Sequence, residues 1–258
     1  MNRRQLKRLE DELEEFVEAI VSGLGRVERR ANLAAYITGL LLDGDRKSIE
    51  PMAGRLVDNA REVEGMRQRL QQAVSVAVWP EREVFDRLAR MLENELPGIE
   101  ALVVDDTGFP KKGEHSVGVQ RQYSGTLGRV DNCQVATSLH LAGASTSACI
   151  GLRLFLPEKW ASDPERRRRA GVPADITFQT KLEIAVKLLD QALAAGVRKH
   201  VVLADAGYGD STEFREALAA RELTYVVGIN GEIAVWPPNS APRIPPKPAG
   251  LRGRPRTR

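Results

Sequence analysis

Residues 201–209 read Val-Val-Leu-Ala-Asp-Ala-Gly-Tyr-Gly, four apolar residues, then an acid, then a glycine-rich turn. About 100 residues earlier, Val103-Val104-Asp105-Asp106-Thr107-Gly108 repeats the pattern, with a short apolar run ending in carboxylates. A continuous apolar run of this length, closed by turn residues, reads as a buried strand. In α/β folds ligands bind beyond the carboxyl ends of such strands. Two strands that each deliver an Asp there can converge on one site for a hard divalent cation, because magnesium and manganese prefer carboxylate oxygens. Asp and Gly are also ordinary turn formers, so two plain turns are the competing reading.

Between and around these two stretches the texture is mixed. Asn132 to Leu141 and Ala148 to Leu156 are β-rich, and the small residues 142–147 join them. Phe178 to Ala195 is amphipathic, with Ile184, Leu188, Leu189 and Leu193 on one helix face and Gly196 as its stop. Ser211 to Ala220 predicts a helix capped by Ser211 or Thr212, and Thr224 to Ile229 a last short strand. From residue 99 the order is three strands, then helix, strand, helix, strand. That order predicts an α/β class with a mixed sheet and helices packed on it.

Upstream the period changes to that of helices. Leu6, Leu9, Leu13, Phe16, Val17, Ile20 and Leu24 fall on one helical face. Ala31 to Leu42 stops at Asp43-Gly44-Asp45, Ser48 caps a third helix, and Trp79-Pro80 precedes a helix carrying Val84, Phe85, Leu88, Met91 and Leu92. The expected organisation is therefore a helical domain over 1–97, a core over 98–235, and a Pro- and Arg-rich linker over 236–258. Within that linker, Arg252-Gly253-Arg254-Pro255-Arg256 has the Arg-Gly-Arg form of a minor-groove hook, though a plain linker is the better reading.

Composition excludes some classes. Hydrophobic residues make up 42% of 258, enough for a packed core. Net charge is only +3, so any nucleic-acid contact must come from local basic patches. Candidates are the run Arg166, Arg167, Arg168 and Arg169, the pair Lys111 and Lys112, and Arg121 beside Tyr123. Cys133 and Cys149 form neither a disulfide framework nor a metal knuckle and suit a reducing compartment. The three histidines have no metal-ligand spacing. The N-terminus lacks the apolar core of a signal peptide, and no apolar run is long enough to span a bilayer. The expected location is the cytoplasm, with no membrane partner.

Read as long blocks, the words become specific. DDTGFPKKGEHSVGVQRQYSGTLGRVDNCQVATSL, then LRLFLPEKWASDPERRRRAGVP, then FQTK, then VVLADAGYGD resemble bacterial insertion-sequence transposases with an RNase H-like DDE core. The resemblance covers roughly residues 30 to 258 and is strongest from Asp105 to Gly228. It implies DNA transposition by metal-dependent strand cleavage and transfer. The implied cofactor is Mg2+ or Mn2+, and the implied partner is double-stranded DNA, both transposon ends and target. A homodimer is compatible with that role.

The resemblance implies that the first acid of the triad falls at Asp105-Asp106. Asp106, just before the Thr, is the favoured metal ligand and Asp105 the fallback, since adjacent strand residues face opposite ways. The second acid matches Asp205. The third, a Glu on a later helix, has no counterpart here. The expectation is a C-terminally truncated chain, inactive alone. The alternative is a non-catalytic DNA-binding remnant that interferes with an intact transposase. A phosphohydrolase of the haloacid dehalogenase type fails on spacing: it needs Asp-x-Asp-x-Thr, whereas Asp105, Asp106 and Thr107 are contiguous.

Overall fold

The computed structural model describes residues 2–76 and 79–233. The linker segment expected over 236–258 lies outside the described residues.

The chain begins with five helices: α1 (Arg3–Val21), α2 (Val27–Leu41), α3 (Ile49–Arg55), α4 (Val63–Ser75) and α5 (Glu81–Glu95). Local chemistry sets their ends. Asn2 and Gln5 form a reciprocal capping box at the start of α1. Ser48 is the N-cap residue of α3, and Pro51 sits in its first turn, where a missing N–H costs nothing. Val17, Ile20, Val21 and Leu24 form one small core against Leu33, Ile37 and Trp79. Met52, Ala53 and Leu70 form another, against Tyr36 and Leu56.

Helix α5 serves two cores. Val84, Leu88 and Met91 pack into the helical layer, whereas Ala89, Leu92 and Leu96 join the core under the sheet. The helical segment is thereby joined to the rest by apolar packing. Glu93, on the same helix and only 8% exposed, accepts hydrogen bonds from Arg198 and His200 at the entry to a later strand.

The sheet is made of β1 (Ile99–Pro110), β2 (Gln120–Ser124), β3 (Arg129–Gly143), β4 (Ser147–Leu154), β5 (Val201–Ala204) and β6 (Tyr225–Val227). Its order is β2-β3-β1-β5-β6, with β4 also pairing β3. The first strands are antiparallel, while β1–β5 and β5–β6 are parallel. Such an antiparallel meander continued by parallel crossovers is the RNase H-like mixed sheet. Short helices α6 (Glu158–Ala161) and α7 (Pro164–Arg169) follow β4, then come α8 (Lys181–Ala194), α9 (Ala206–Gly209) and α10 (Thr212–Ala220). Helices α5, α8 and α10 cover the face that carries Leu102, Val104, Leu139 and Val202. The opposite face is more open. Val103 and Leu203 are half-buried, and Val226, level with them, is 64% exposed.

Two expectations need correction. The strand read as ending at Val104 continues to Pro110, because the 15-residue β3 keeps pairing with it down to Cys133. Asp105 and Asp106 therefore lie within a strand, not in a turn after one. There is also a strand more than expected: the polar stretch Gln120–Ser124 pairs with the end of β3 that β4 does not use. Its residues Gln, Arg, Gln, Tyr and Ser carry no apolar alternation by which a strand is read from sequence.

Candidate metal and DNA site

The site lies where β5 stops and β1 does not. β5 ends at Ala204, level with Val104, so the next residues of β1 have no partner on that edge. A cleft of about 340 Å³ opens there, lined by Asp105, Asp106, Asp205, Lys181, Tyr208 and Tyr123, among others. The two acid-bearing stretches, distant in sequence, thus meet at one place.

Pleating sends the neighbouring acids in different directions. Asp106 shares a face with its partner Thr137, over helix α8. Its carboxylate is held on both oxygens. Oδ1 accepts from the Tyr208 hydroxyl at 2.6 Å and from Thr137 Oγ1 at 3.2 Å, and Oδ2 accepts from Lys181 Nζ at 2.6 Å. Asp105 is exposed on the other face, and its Oδ1 accepts from the Asp106 amide at 2.7 Å. Asp205 is exposed and, among the described residues, its carboxylate accepts no hydrogen bond.

The turn after Asp205 is shaped for close approach. A Cβ on Gly207 would sit 3.1 Å from Asp205 Oδ1, so a side chain there would crowd the carboxylate. A Cβ on Gly209 would sit 1.9 Å from the Gly228 carbonyl oxygen, which only glycine avoids. This lets α9 fold tightly over β6 and bring Tyr208 under the cleft. Tyr208 is 3% exposed and packs on Phe214, with ring centroids 5.6 Å apart. Burial first, then the negative charge of Asp106 and the hydrogen bond to it, push its phenol well above the ordinary range. It stays a proton donor to Asp106 at any physiological pH.

Lys181, Tyr208 and Thr137 were given no role on sequence grounds. A signal for Lys181 existed: a cation in the first turn of a helix opposes the helix dipole, so something else must hold it there. Tyr208 and Thr137 carry no local signal, because their role arises only from the pairing of distant strands.

The basic candidates are dispersed. Lys111 and Lys112 are exposed just past β1, and Arg121 is exposed on β2. Arg168 and Arg169 are exposed on α7. Arg166 stacks over the Trp160 ring at 3.6 Å and donates to the Glu114 carbonyl at 3.0 Å. Arg167 donates to the carbonyls of Ala161, Pro173, Ala174 and Ile176, which binds the loop after α7 to the helix. Trp160 itself is buried and donates Nε1–H to the Val119 carbonyl at 2.8 Å, anchoring the long connection.

The donor chemistry at the cleft is that of hard oxygens: Asp106 and Asp205 line it with Asp105, the Asp205 carboxylate accepts no hydrogen bond among the described residues, and the Asp106 carboxylate pairs with Lys181. Among the described residues no cluster of three His, Cys, Asp or Glu could hold a metal by itself. No helix among them is long and apolar enough to cross a membrane.

A family profile described as "DDE superfamily endonuclease" matches residues 19–258. A probable transposase for insertion sequence element IS701, from Microchaete diplosiphon, is 32% identical over 129 residues, 50% of this chain and 31% of that protein. The matched part of the chain thus spans less than a third of the length of that relative.

Proposed function

Since the chain belongs to the DDE superfamily endonucleases, we propose that it takes part in DNA transposition by metal-dependent strand cleavage and transfer. The observation that carries this reading is the convergence of Asp105 and Asp106 with Asp205 on one cleft from neighbouring parallel strands. Asp106 and Asp205 are the proposed ligands of Mg2+ or Mn2+, with Asp105 the alternative to Asp106. Such ions activate a water or DNA 3′-hydroxyl and stabilise the leaving oxygen of an in-line phosphoryl displacement.

The protein's own residues supply position and charge. Tyr208 and Thr137 fix one oxygen of Asp106 from the buried side, so the carboxylate meets the cleft pre-oriented. Asp205 lines the same cleft, and Gly207 leaves room beside its carboxylate. Lys111, Lys112, Arg121 and the Arg166–Arg169 segment are the proposed phosphate contacts, with Arg167 holding that segment in shape. Among the described residues no glutamate lines the cleft. Full activity in this reading draws on a further carboxylate from outside them.

The test is to incubate the purified chain, alone and with an intact relative, with labelled DNA ends of the encoding element and Mn2+. Cleavage that depends on both Asp106 and Asp205 supports the reading. DNA binding that inhibits the relative, without cleavage, supports the remnant role instead.

A further inference from the structure

Lys181 is the first residue of α8, where the helix dipole disfavours a cation. The capping box of Thr180 and Glu183 already satisfies that helix end, so the lysine is not needed there. Its ammonium instead crosses to β1 and pairs with Asp106 Oδ2 at 2.6 Å, 5.9 Å from the centre of the Phe155 ring. The two side chains are 35% and 28% exposed, so the pair faces the cleft and not the core.

The partners of Asp106 fall into two kinds. Tyr208 and Thr137 are buried, fixed by the sheet and by α9, and both bind Oδ1. Lys181 has a long side chain that is 35% exposed, and it alone among the described residues binds Oδ2. One oxygen is thus held by two buried hydroxyls, while the other is paired with a partly exposed ammonium. A half-exposed pair of this kind is weakly held, and a divalent cation outcompetes an ammonium for a carboxylate.

We propose that Lys181 is a switching counter-ion. Without metal it occupies Asp106 Oδ2 and offsets the charge of that one carboxylate. When a divalent cation takes that oxygen, the ammonium turns from Asp106 to a DNA phosphate entering the cleft. The lysine so couples metal loading to DNA engagement. The inference rests on the functional reading above.

Two measurements test it, on the wild-type chain and on Lys181→Met and Lys181→Gln. The first is Mn2+ affinity by electron paramagnetic resonance. Loss of the competing charge should tighten Mn2+ binding by about fivefold or more in both variants. The second is the salt dependence of binding to a mixed-sequence DNA duplex, with and without Mn2+. Mn2+ should steepen the wild-type slope by about one counterion, and leave both variants unchanged.

If the wild type binds Mn2+ but neither variant binds it more tightly, the switch is overturned and the metal site stands. Loss of Mn2+ binding in the variants means that Lys181 positions Asp106 and does not compete, which also overturns it. If both variants fail to fold, as judged by circular dichroism, the lysine is a structural strut and the switch falls. A wild-type chain that binds no Mn2+ in this cleft overturns the functional reading together with the inference.

Discussion

Tyr208 lies three residues beyond Asp205, yet its hydroxyl donates to Asp106 Oδ1, on the neighbouring strand, at 2.6 Å. One turn of chain thus delivers the second acid and orients the first. The tyrosine is buried, so this bond is formed away from competing water.

Tyr208→Phe should keep the fold and lose the clamp. A hydrogen bond to a charged group is worth about 1.5–3 kcal/mol, and Thr137 remains as a second donor, so a loss of about 1–2 kcal/mol is expected in urea unfolding. The pH dependence follows from the raised phenol. Its unfolded value is 10.0 and its folded value is higher, so its contribution is complete below pH 10 and falls as pH rises above that. The variant should show a shallower alkaline loss of stability than the wild type.

Glu93 joins α5 to the entry of β5. Burial pushes its carboxyl up, but hydrogen bonds from Arg198 and His200 outweigh burial and hold it below its ordinary value of 4.5. Its contribution is therefore present above pH 4.5 and lost as pH falls below it. Glu93→Gln should cost about 2 kcal/mol at neutral pH and flatten the acid limb of the stability curve. An unchanged acid limb would show that these bonds do not stabilise the junction.

Gly209→Ala should be among the most damaging single-methyl changes. The new Cβ would meet the Gly228 carbonyl at 1.9 Å and the Val227 side chain at 2.8 Å, so α9 must lift off β6. Overpacking of this kind costs about 1–3 kcal/mol, and more when backbone is the obstacle. Melting temperature reads the loss. Gly231→Ala, with open space around the position, serves as the neutral control.

Much of this was legible in the sequence, for identifiable reasons. The buried strands around Val104 and Val202 carry unbroken apolar runs, and α8 carries a clear helical stripe ended by Gly196. Both acid-bearing stretches could be picked out because Asp and Gly interrupt apolar runs abruptly. The extent of β1 could not be read, because Asp105 to Pro110 has poor strand propensity and is held extended by pairing with β3. β2 was hidden for the same reason. The network on Asp106 depends on residues 31, 75 and 102 positions away, and no local pattern encodes such distances.

The most direct test of the central claim is Mn2+ binding by the wild-type chain and by Asp105→Asn, Asp106→Asn and Asp205→Asn, each checked for native circular dichroism. Removing one of two converging carboxylates should weaken Mn2+ binding by about tenfold or more, since each contributes a direct hard-oxygen ligand. That loss is expected for Asp205→Asn and for Asp106→Asn, with Asp105→Asn nearly unchanged. Wild-type affinity in Asp205→Asn would contradict a shared site between β1 and β5.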